Sequence, residues 1–328
     1  MTNVSAIVPN WNRRELLVGL LSRLRNQSRP LEEILVVDGG STDGSAEAAE
    51  VTGARVIRMS ANAGFSRAVN RGIEAARSPW LAIVNNDVEP EENWLENLLQ
   101  AAERTGAWFA CGKLVEDARR DRIDGTYDLL CRGGCAWRAG KGRLDGPEWD
   151  RPRSISLAPL TAALIRAEVF GRVGLLDERF ESYLEDVDLG LRCAARGLTG
   201  VYVPGAVARH AGSATLGAWH PSMVRHIARN QVFLLARHYP SRWFRECGWH
   251  VLVAQGLWGL LALRHGRGLA WLAGKWEGLR RFPEMRGMLG QEESDRVRRT
   301  IKEGEEELFT LQQQTGFDLF WRIYFALT

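Results

Sequence analysis

The sequence predicts an α/β protein: a mostly parallel sheet flanked by helices, followed by a helical C-terminal extension. Three observations predict it. Short β-branched runs alternate with helix-length amphipathic stretches over the first hundred residues. Those runs are apolar almost throughout, as strands covered on both faces are. From Trp219 onward the pattern changes to long, basic, Trp-rich helices. A chain of 328 residues has room for two structural units, expected here at 1–215 and 216–328.

Val4–Val8 reads as a strand closed by Pro9, with a helix from about Arg13 to Asn26. Ile34–Asp38 is the second strand, Asp43–Val51 a helix and Ala54–Met59 the third strand. Phe65–Arg77 reads as a helix and Trp80–Val84 as the fourth strand. Pro90 suits a helix start, which places the next helix at Glu91–Arg104. Residues 111–155 are rich in Gly, Arg and Asp with weak periodicity, and irregular structure with short strands is expected there. A strand over Ser156–Arg166 and a short helix over Ala167–Val173 follow. Next come a helix from Glu185 to just before Gly197 and a strand over Gly200–Pro204. In parallel sheets ligands bind at the carboxyl ends of the strands, which directs attention to Asn10, Asp38, Asn62 and Asp87.

A composition of 45% hydrophobic and 25% charged residues excludes wholesale disorder. Net charge is +3, but residues 220–290 carry eleven Lys or Arg against three Asp or Glu. That local excess points to an anionic surface as partner. Five cysteines without a second Cys or His pair near Cys131 and Cys135 exclude a zinc site and suggest reduced, buried thiols. The chain runs from Met1 straight into a strand pattern, so no leader is expected. The longest apolar run, Trp249–Leu263, is shorter than the roughly 20 residues of a membrane span. A soluble or peripheral cytoplasmic protein is the expectation.

Five segments carry candidate chemistry. In VVDGGSTDGS (36–45), Asp38 ends a buried strand and can accept hydrogen bonds from a base or ribose; a capping turn is the structural alternative. It is neither GxGxxG nor a GK[ST] phosphate loop. In NAGFSRAVNRG (62–72), Asn62 and Gly64 make a turn, and Arg67 and Arg71 share one helix face where two guanidinium groups can hold a diphosphate. In IVNNDVEP (83–90), a strand delivers Asn85, Asn86 and Asp87 to the sheet edge, where one carboxylate can hold Mg2+ or Mn2+ against a diphosphate. In FESYLEDVDLGLRCAARG (180–197), Glu185, Asp186 and Asp188 crowd one helix start. The macrodipole accounts for one or two acids there, and a carboxylate so placed can take a proton from a hydroxyl. In VYVPGAVARHAGSAT (201–215), His210 follows a strand; alone, it is as well read as structural.

Taken in order with VPNWN (8–12) and ALIRAEVFGRVGLLDERF (163–180), these segments resemble the inverting family-2 glycosyltransferases with a GT-A fold. The likeness covers about residues 3–240 and is closest to rhamnosyltransferase-like bacterial enzymes. It implies a nucleotide-sugar donor contacted by Pro9, Asn12, Asp38, Asn62, Gly64, Arg67, Asn85, Asn86 and Asp87. It implies a divalent metal, Mg2+ or Mn2+, on Asp87 and His210. Asp186 would be the general base, with Glu185 supporting it or orienting the acceptor. The acceptor would be a glycan or lipid-linked hydroxyl in cell-surface polysaccharide synthesis, and dTDP-rhamnose a candidate donor. Asn85 stands where the family's motif has its first acid.

Trp219, Trp243, Trp249, Trp258, Trp271 and Trp276 lie among arginines. Tryptophan favours membrane interfaces and arginine anionic leaflets, which suggests peripheral docking on the inner face of the cytoplasmic membrane. Packing on the first domain or on a second subunit in an oligomer is the alternative. Nucleic acid is not an expected partner, because no binding module is present. A catalytically silent nucleotide-sugar-binding scaffold and a nucleotidyltransferase are the rival readings of the whole chain.

Overall fold

A computed structural model describes residues 2–212 and 219–328. The expected boundary at 215, with the end of the His210 segment, lies outside the described residues. The first elements are β1 (Val4–Asn10), α1 (Arg14–Arg25), β2 (Glu33–Asp38), α2 (Ser45–Val51), β3 (Arg55–Arg58), α3 (Phe65–Ala75) and β4 (Trp80–Val84). Next come β5 (Val88–Pro90), α4 (Trp94–Thr105), β6 (Phe109–Glu116), β7 (Ile123–Gly125), β8 (Asp128–Leu130), β9 (Ala136–Arg138) and β10 (Arg153–Ile155). They are followed by β11 (Ala162–Arg166), α5 (Glu168–Val173), α6 (Glu185–Ala195) and β12 (Gly200–His210). The remaining elements are α7 (Pro221–His238), α8 (Ser241–Arg264), α9 (Gly268–Arg280), α10 (Phe282–Met285), α11 (Gln291–Thr315) and α12 (Leu319–Leu327). Contacts divide the chain into two units. One is Met1–Tyr127, Gly140–Glu181 and Leu198–Thr215; the other is Asp128–Ala139, Ser182–Gly197 and Leu216–Thr328.

The first unit is built on a sheet of order β10-β12-β6-β11-β4-β1-β2-β3. β1 pairs in parallel with β2 and β4, β2 with β3, and β6 with β12. β11 runs antiparallel between β4 and β6, which makes the mostly parallel sheet a mixed one. In α1, Leu17, Leu20, Leu21 and Leu24 recur at helical spacing and are buried in one core with Val4, Ala6 and Val8 of β1. Burying each leucine stabilises the unit by about 1.5–3 kcal/mol. This packing fixes the carboxyl ends of β1, β2 and β4 beside one another.

Four expectations are corrected. Pro90 does not start a helix: Val88–Pro90 pairs antiparallel with β12, and the helix begins at Trp94. Proline tolerates this because its strand is a short edge piece. The stretch from 111 is not irregular at its start, because Phe109–Glu116 is a buried strand paired on both sides. Only Ala162–Arg166 of the expected 156–166 strand is extended. The last strand runs on past Pro204 to His210, because a register shift between Val203 and Val207 lets it resume pairing with β6.

In the second unit, β8 and β9 form a hairpin, and α6 packs on α11 while α9 packs on α7. All five cysteines are buried, and none is in a disulfide. No described helix is long and apolar enough to cross a membrane.

Candidate active site

In the first unit, the carboxyl ends of β1, β2 and β4 are joined by a buried polar network. Asp38 Oδ1 accepts hydrogen bonds from Asn10 Nδ2 (3.0 Å) and Ser41 Oγ (2.5 Å), and Oδ2 accepts from the Ser41 amide (2.9 Å). Asn86 Nδ2 donates to Asn10 Oδ1 (2.8 Å). Asn12 sits in the left-handed region at φ 58°, which asparagine tolerates better than most residues. Its amide N–H donates to Ser41 Oγ (2.7 Å), and its Oδ1 accepts from Thr42 N (3.0 Å). Pro9 pairs with Val37 one residue before this edge. Asp43, two residues past Ser41, accepts from the Arg14 amide (2.9 Å) and so caps α1. An open cleft of about 870 Å³ adjoins this edge, lined by Trp11, Asn12, Arg13, Arg14, Glu15, Leu16 and Asp43.

The turn before α3 is shaped by close backbone approach. Asn62 Oδ1 accepts from Gly64 N (3.1 Å). Gly64 has φ 90°, and a Cβ there would stand 2.9 Å from the Glu181 carbonyl, so only glycine fits. Arg67 Nε pairs with Glu178 at 2.7 Å on the exposed helix face, and Arg71 pairs with Glu74.

The Asn85–Asp87 turn follows β4. Asn85 Oδ1 is buried with no hydrogen-bond partner, and the buried Asp87 Oδ1 faces only the ring of His210. His210, at the end of β12, places Nε2 3.3 Å from Asp87 Oδ1 and Nδ1 2.7 Å from Asp124 Oδ2. Lys141 pairs with the other Asp124 oxygen. Burial opposes charge on His210, but its hydrogen bond to Asp124 and the nearby Asp87 carboxylate lift it to about 9. Burial likewise opposes ionisation of Asp124, and the His210 and Lys141 cations overcome it and hold that carboxyl well below its usual range. The Asp87 carboxylate facing an imidazole whose far nitrogen is anchored by Asp124 fits a divalent cation, provided the cation displaces the proton from His210 Nε2. Among the described residues, no group of three or more such side chains gathers, so substrate oxygens would have to complete the coordination.

In the second unit, α6 carries the three acids, and they part ways. Asp188 is fully buried and ion-paired: His238 Nε2 lies at 2.8 Å, Arg192 Nε at 2.9 Å and Arg237 at 3.4 Å. Burial would raise its carboxyl, but Arg192 and His238 hold it far down. It anchors α7 to α6. Glu185 is buried too, with Oε2 unpaired. Burial, and then the neighbouring Asp186 charge, push its carboxyl well above the ordinary 4.5. Asp186 remains partly exposed. Its Oδ1 accepts from Val187 N (2.8 Å), and its Oδ2 lies 3.5 Å from Arg138 of β9. Arg138 also holds Asp128 of β8 at 3.1 Å. Burial and the adjacent Asp186 carboxylate thus favour the protonated form of Glu185, while Asp186 lies against the Arg138 guanidinium, two different settings for neighbouring acids.

The backbone entering α6 is strained: Tyr183 and Leu184 have φ 72° and 67°. Each such residue costs about 1–3 kcal/mol. Asn230 of α7, fully buried, offsets part of this by donating to the Ser182 and Tyr183 carbonyls at 3.0 and 2.7 Å.

A pH dependence follows from Glu185. The unfolded carboxyl loses its proton near 4.5 and the folded one only at higher pH. Between the two values the native state binds more protons, so stability falls as pH rises. Thermal unfolding of Glu185→Gln is expected to lack this decline, which sets in as pH rises past 4.5. Parallel curves for variant and wild type above that pH would contradict the assignment.

Asn10, Asp124, Arg138 and Asn230 join the site residues only in three dimensions. Of these, Asn10 alone had a signal in the sequence, as a strand-end residue.

Residues 5–172 match the family described as Glycosyl transferase family 2, and residues 154–274 match Glycosyl transferase family group 2. An N-acetylglucosaminyl-diphospho-decaprenol L-rhamnosyltransferase of Mycobacterium tuberculosis is 32% identical over 72% of this chain and 82% of its own length. The crystal structure of GalNAc-T7 with UDP, GalNAc and Mn2+ is similar to 97% of this chain, with a TM-score of 0.65 and 13% identity. The chain spans only 58% of that protein. The mannosyltransferase PcManGT from Pyrobaculum calidifontis, in complex with GDP-Man and Mn2+, has a TM-score of 0.53 at 16% identity, over 99% of this chain and 86% of its own. Likeness at such identity is likeness of fold. The matched family covers just over half of the sequence, a relative covers most of it, and the sheet with its strand-end site agrees with both: this chain is a glycosyltransferase of family 2, with a GT-A fold.

Proposed function

We propose that the protein is an inverting transferase that moves a sugar from a nucleotide-diphosphate donor to a hydroxyl of a lipid-linked glycan acceptor, in cell-surface polysaccharide synthesis. Residues 1–215 form the catalytic domain in this reading, and the basic 216–328 region holds the enzyme at the inner face of the cytoplasmic membrane. The observation that carries the proposal is the pair of acids at the start of α6: Glu185, buried and shifted upward, and Asp186, partly exposed with Arg138 3.5 Å away. Rhamnose as the sugar moved, and a diphosphate-linked polyprenol carrying N-acetylglucosamine as acceptor, are supported by the mycobacterial relative's name; dTDP as the donor nucleotide rests on the family likeness alone.

Asp186 takes the acceptor hydroxyl proton as that oxygen attacks the anomeric carbon. The bond from that carbon to the diphosphate oxygen breaks on the opposite face, and its electron pair leaves with the nucleotide. One displacement of this kind inverts the configuration. Asp38, Pro9 and Asn12 bind the nucleoside end of the donor, while Asn62, Gly64, Arg67, Asn85, Asn86 and Asp87 bind toward the diphosphate. Asp87 and His210 would hold Mg2+ or Mn2+, which when bound neutralises diphosphate charge. Asp124 keeps His210 oriented for that task.

The test is transfer from a panel of nucleotide sugars, dTDP-rhamnose included, to a polyprenyl-diphosphate N-acetylglucosamine acceptor. Product of inverted anomeric configuration is expected from one donor. No turnover of any donor, or retained configuration, sinks the proposal. His210→Ala is expected to raise the Mn2+ concentration giving half-maximal rate by about 10–100-fold. An unchanged metal titration would remove His210 from the site.

A further inference from the structure

α9 is built inside out. Its two mid-helix charged side chains point inward: Lys275 donates to Gln231 of α7 (2.9 Å) and to Gln255 of α8, and Glu277 pairs with Arg225 (2.8 Å) and Arg229 (3.0 Å) of α7. Burial pushes Lys275 down to about 8. Gly274 lies against the Arg225 carbonyl of α7 with no room for a Cβ. The outward face carries Leu269, Leu272, Trp276 and Leu279, which are 84%, 54%, 66% and 59% exposed. Their spacing of three and four residues makes one stripe. α8 adds Leu260 and Leu263, 63% and 65% exposed, at the end that leads into α9.

A helix facing water is expected to bury its leucines and expose its charges. α9 does the reverse, and exposed apolar patches of this kind mark interaction surfaces. Arg264 and Arg280 stand exposed at the ends of the two helices. Of the eleven cationic side chains in 220–290, Arg225, Arg229, Arg237 and Lys275 are taken up within the helices, and Arg264 and Arg280 are exposed cations at the stripe itself. A second copy of this chain would bring two basic rims together, which like-charge repulsion opposes. An anionic lipid surface satisfies both features, taking the leucines and Trp276 among its acyl chains and the arginines among its headgroups.

We propose that the outward stripe of α9, extended by the end of α8, is a membrane-docking surface that lies in the interface of an anionic leaflet. It deepens the membrane location proposed above and rests on it for the choice of partner. Insertion rather than electrostatic attraction alone holds the chain there, so binding outlasts high salt.

Flotation of the full-length chain tests this, with vesicles of equal parts phosphatidylcholine and phosphatidylglycerol beside vesicles of phosphatidylcholine alone. Wild type is expected to float with the anionic vesicles and to remain bound in molar salt. Leu272→Glu with Trp276→Glu is expected to weaken binding on the order of a hundredfold. Its circular dichroism and its donor turnover in solution should match wild type. Arg264→Gln with Arg280→Gln, which leaves the apolar stripe intact, should lose about tenfold on anionic vesicles and little on neutral ones. Equal flotation of wild type and the Leu272/Trp276 variant overturns the proposal. So does a wild type that ignores both vesicles, whether it sediments as a monomer or as a dimer that the double variant dissociates. A chain that floats but turns over no donor sinks the transferase reading and leaves this surface standing. A chain that transfers sugar in solution but floats with neither vesicle overturns the surface alone.

Discussion

Asp186→Asn is expected to slow sugar transfer by about a hundredfold to ten-thousandfold, with donor affinity kept within about twofold. The amide has the shape of the carboxylate. It can still accept from the Val187 N–H and lie against Arg138, which keeps Asp128 as its ion-pair partner. What it cannot do is take a proton. The loss should therefore fall on kcat, in single-turnover as well as steady-state measurements, and leave the donor dissociation constant alone. The same substitution removes the neighbouring charge that helps hold Glu185 up, while burial, the larger cause, remains. Glu185 is consequently expected to stay a proton donor and not to replace the missing base. A variant that turns over at the wild-type rate would falsify the assignment of Asp186.

Asp188→Ala, two residues further along in the same helix turn, should do the opposite. Removing one member of a buried ion-paired group typically costs about 3–5 kcal/mol, because the partners are left buried and unpaired. Here those partners are Arg192, Arg237 and His238, the last only 1% exposed. Urea unfolding should show the loss as a lower midpoint with an unchanged slope. The sign with pH is set by the depressed carboxyl. Its stabilisation is fully present above the ordinary value of 3.8 and is lost only as pH falls through the lower folded value. The gap between wild type and variant should accordingly be constant through neutral pH and close only in strong acid. A variant as stable as wild type at pH 7 would show that Asp188 anchors nothing.

The strands and helices of the first hundred residues were legible because their signals are local. Apolar runs such as Ile34–Asp38 and helical stripes such as Leu17 to Leu24 encode a period, and each period needs only neighbouring residues to be read. Misreadings fell where pairing overrides local preference. Pro90 carries a helix-start signal, yet the partner strand β12 draws Val88–Pro90 into the sheet. Phe109–Glu116 includes Gly112 and Lys113, which blur its pattern; in the sheet, Lys113 is buried with its ammonium held by Asp145 and Asp150 at 2.7 and 2.6 Å.

The sequence by itself determined the class of fold, the strand-end positions of Asp38 and Asp87, and the crowding of three acids at one helix start. Those follow from order, spacing and turn chemistry along the chain. Only the tertiary structure decided what surrounds each acid. Asp188 is an anchor because His238 and Arg237 of α7 reach it, Glu185 is shifted upward because it is buried, and Asp186 lies against Arg138 of the β8–β9 hairpin. A carboxyl's protonation depends on its burial and on charges within a few ångströms. Here several of those charges come from positions about fifty residues away, where no local pattern announces them.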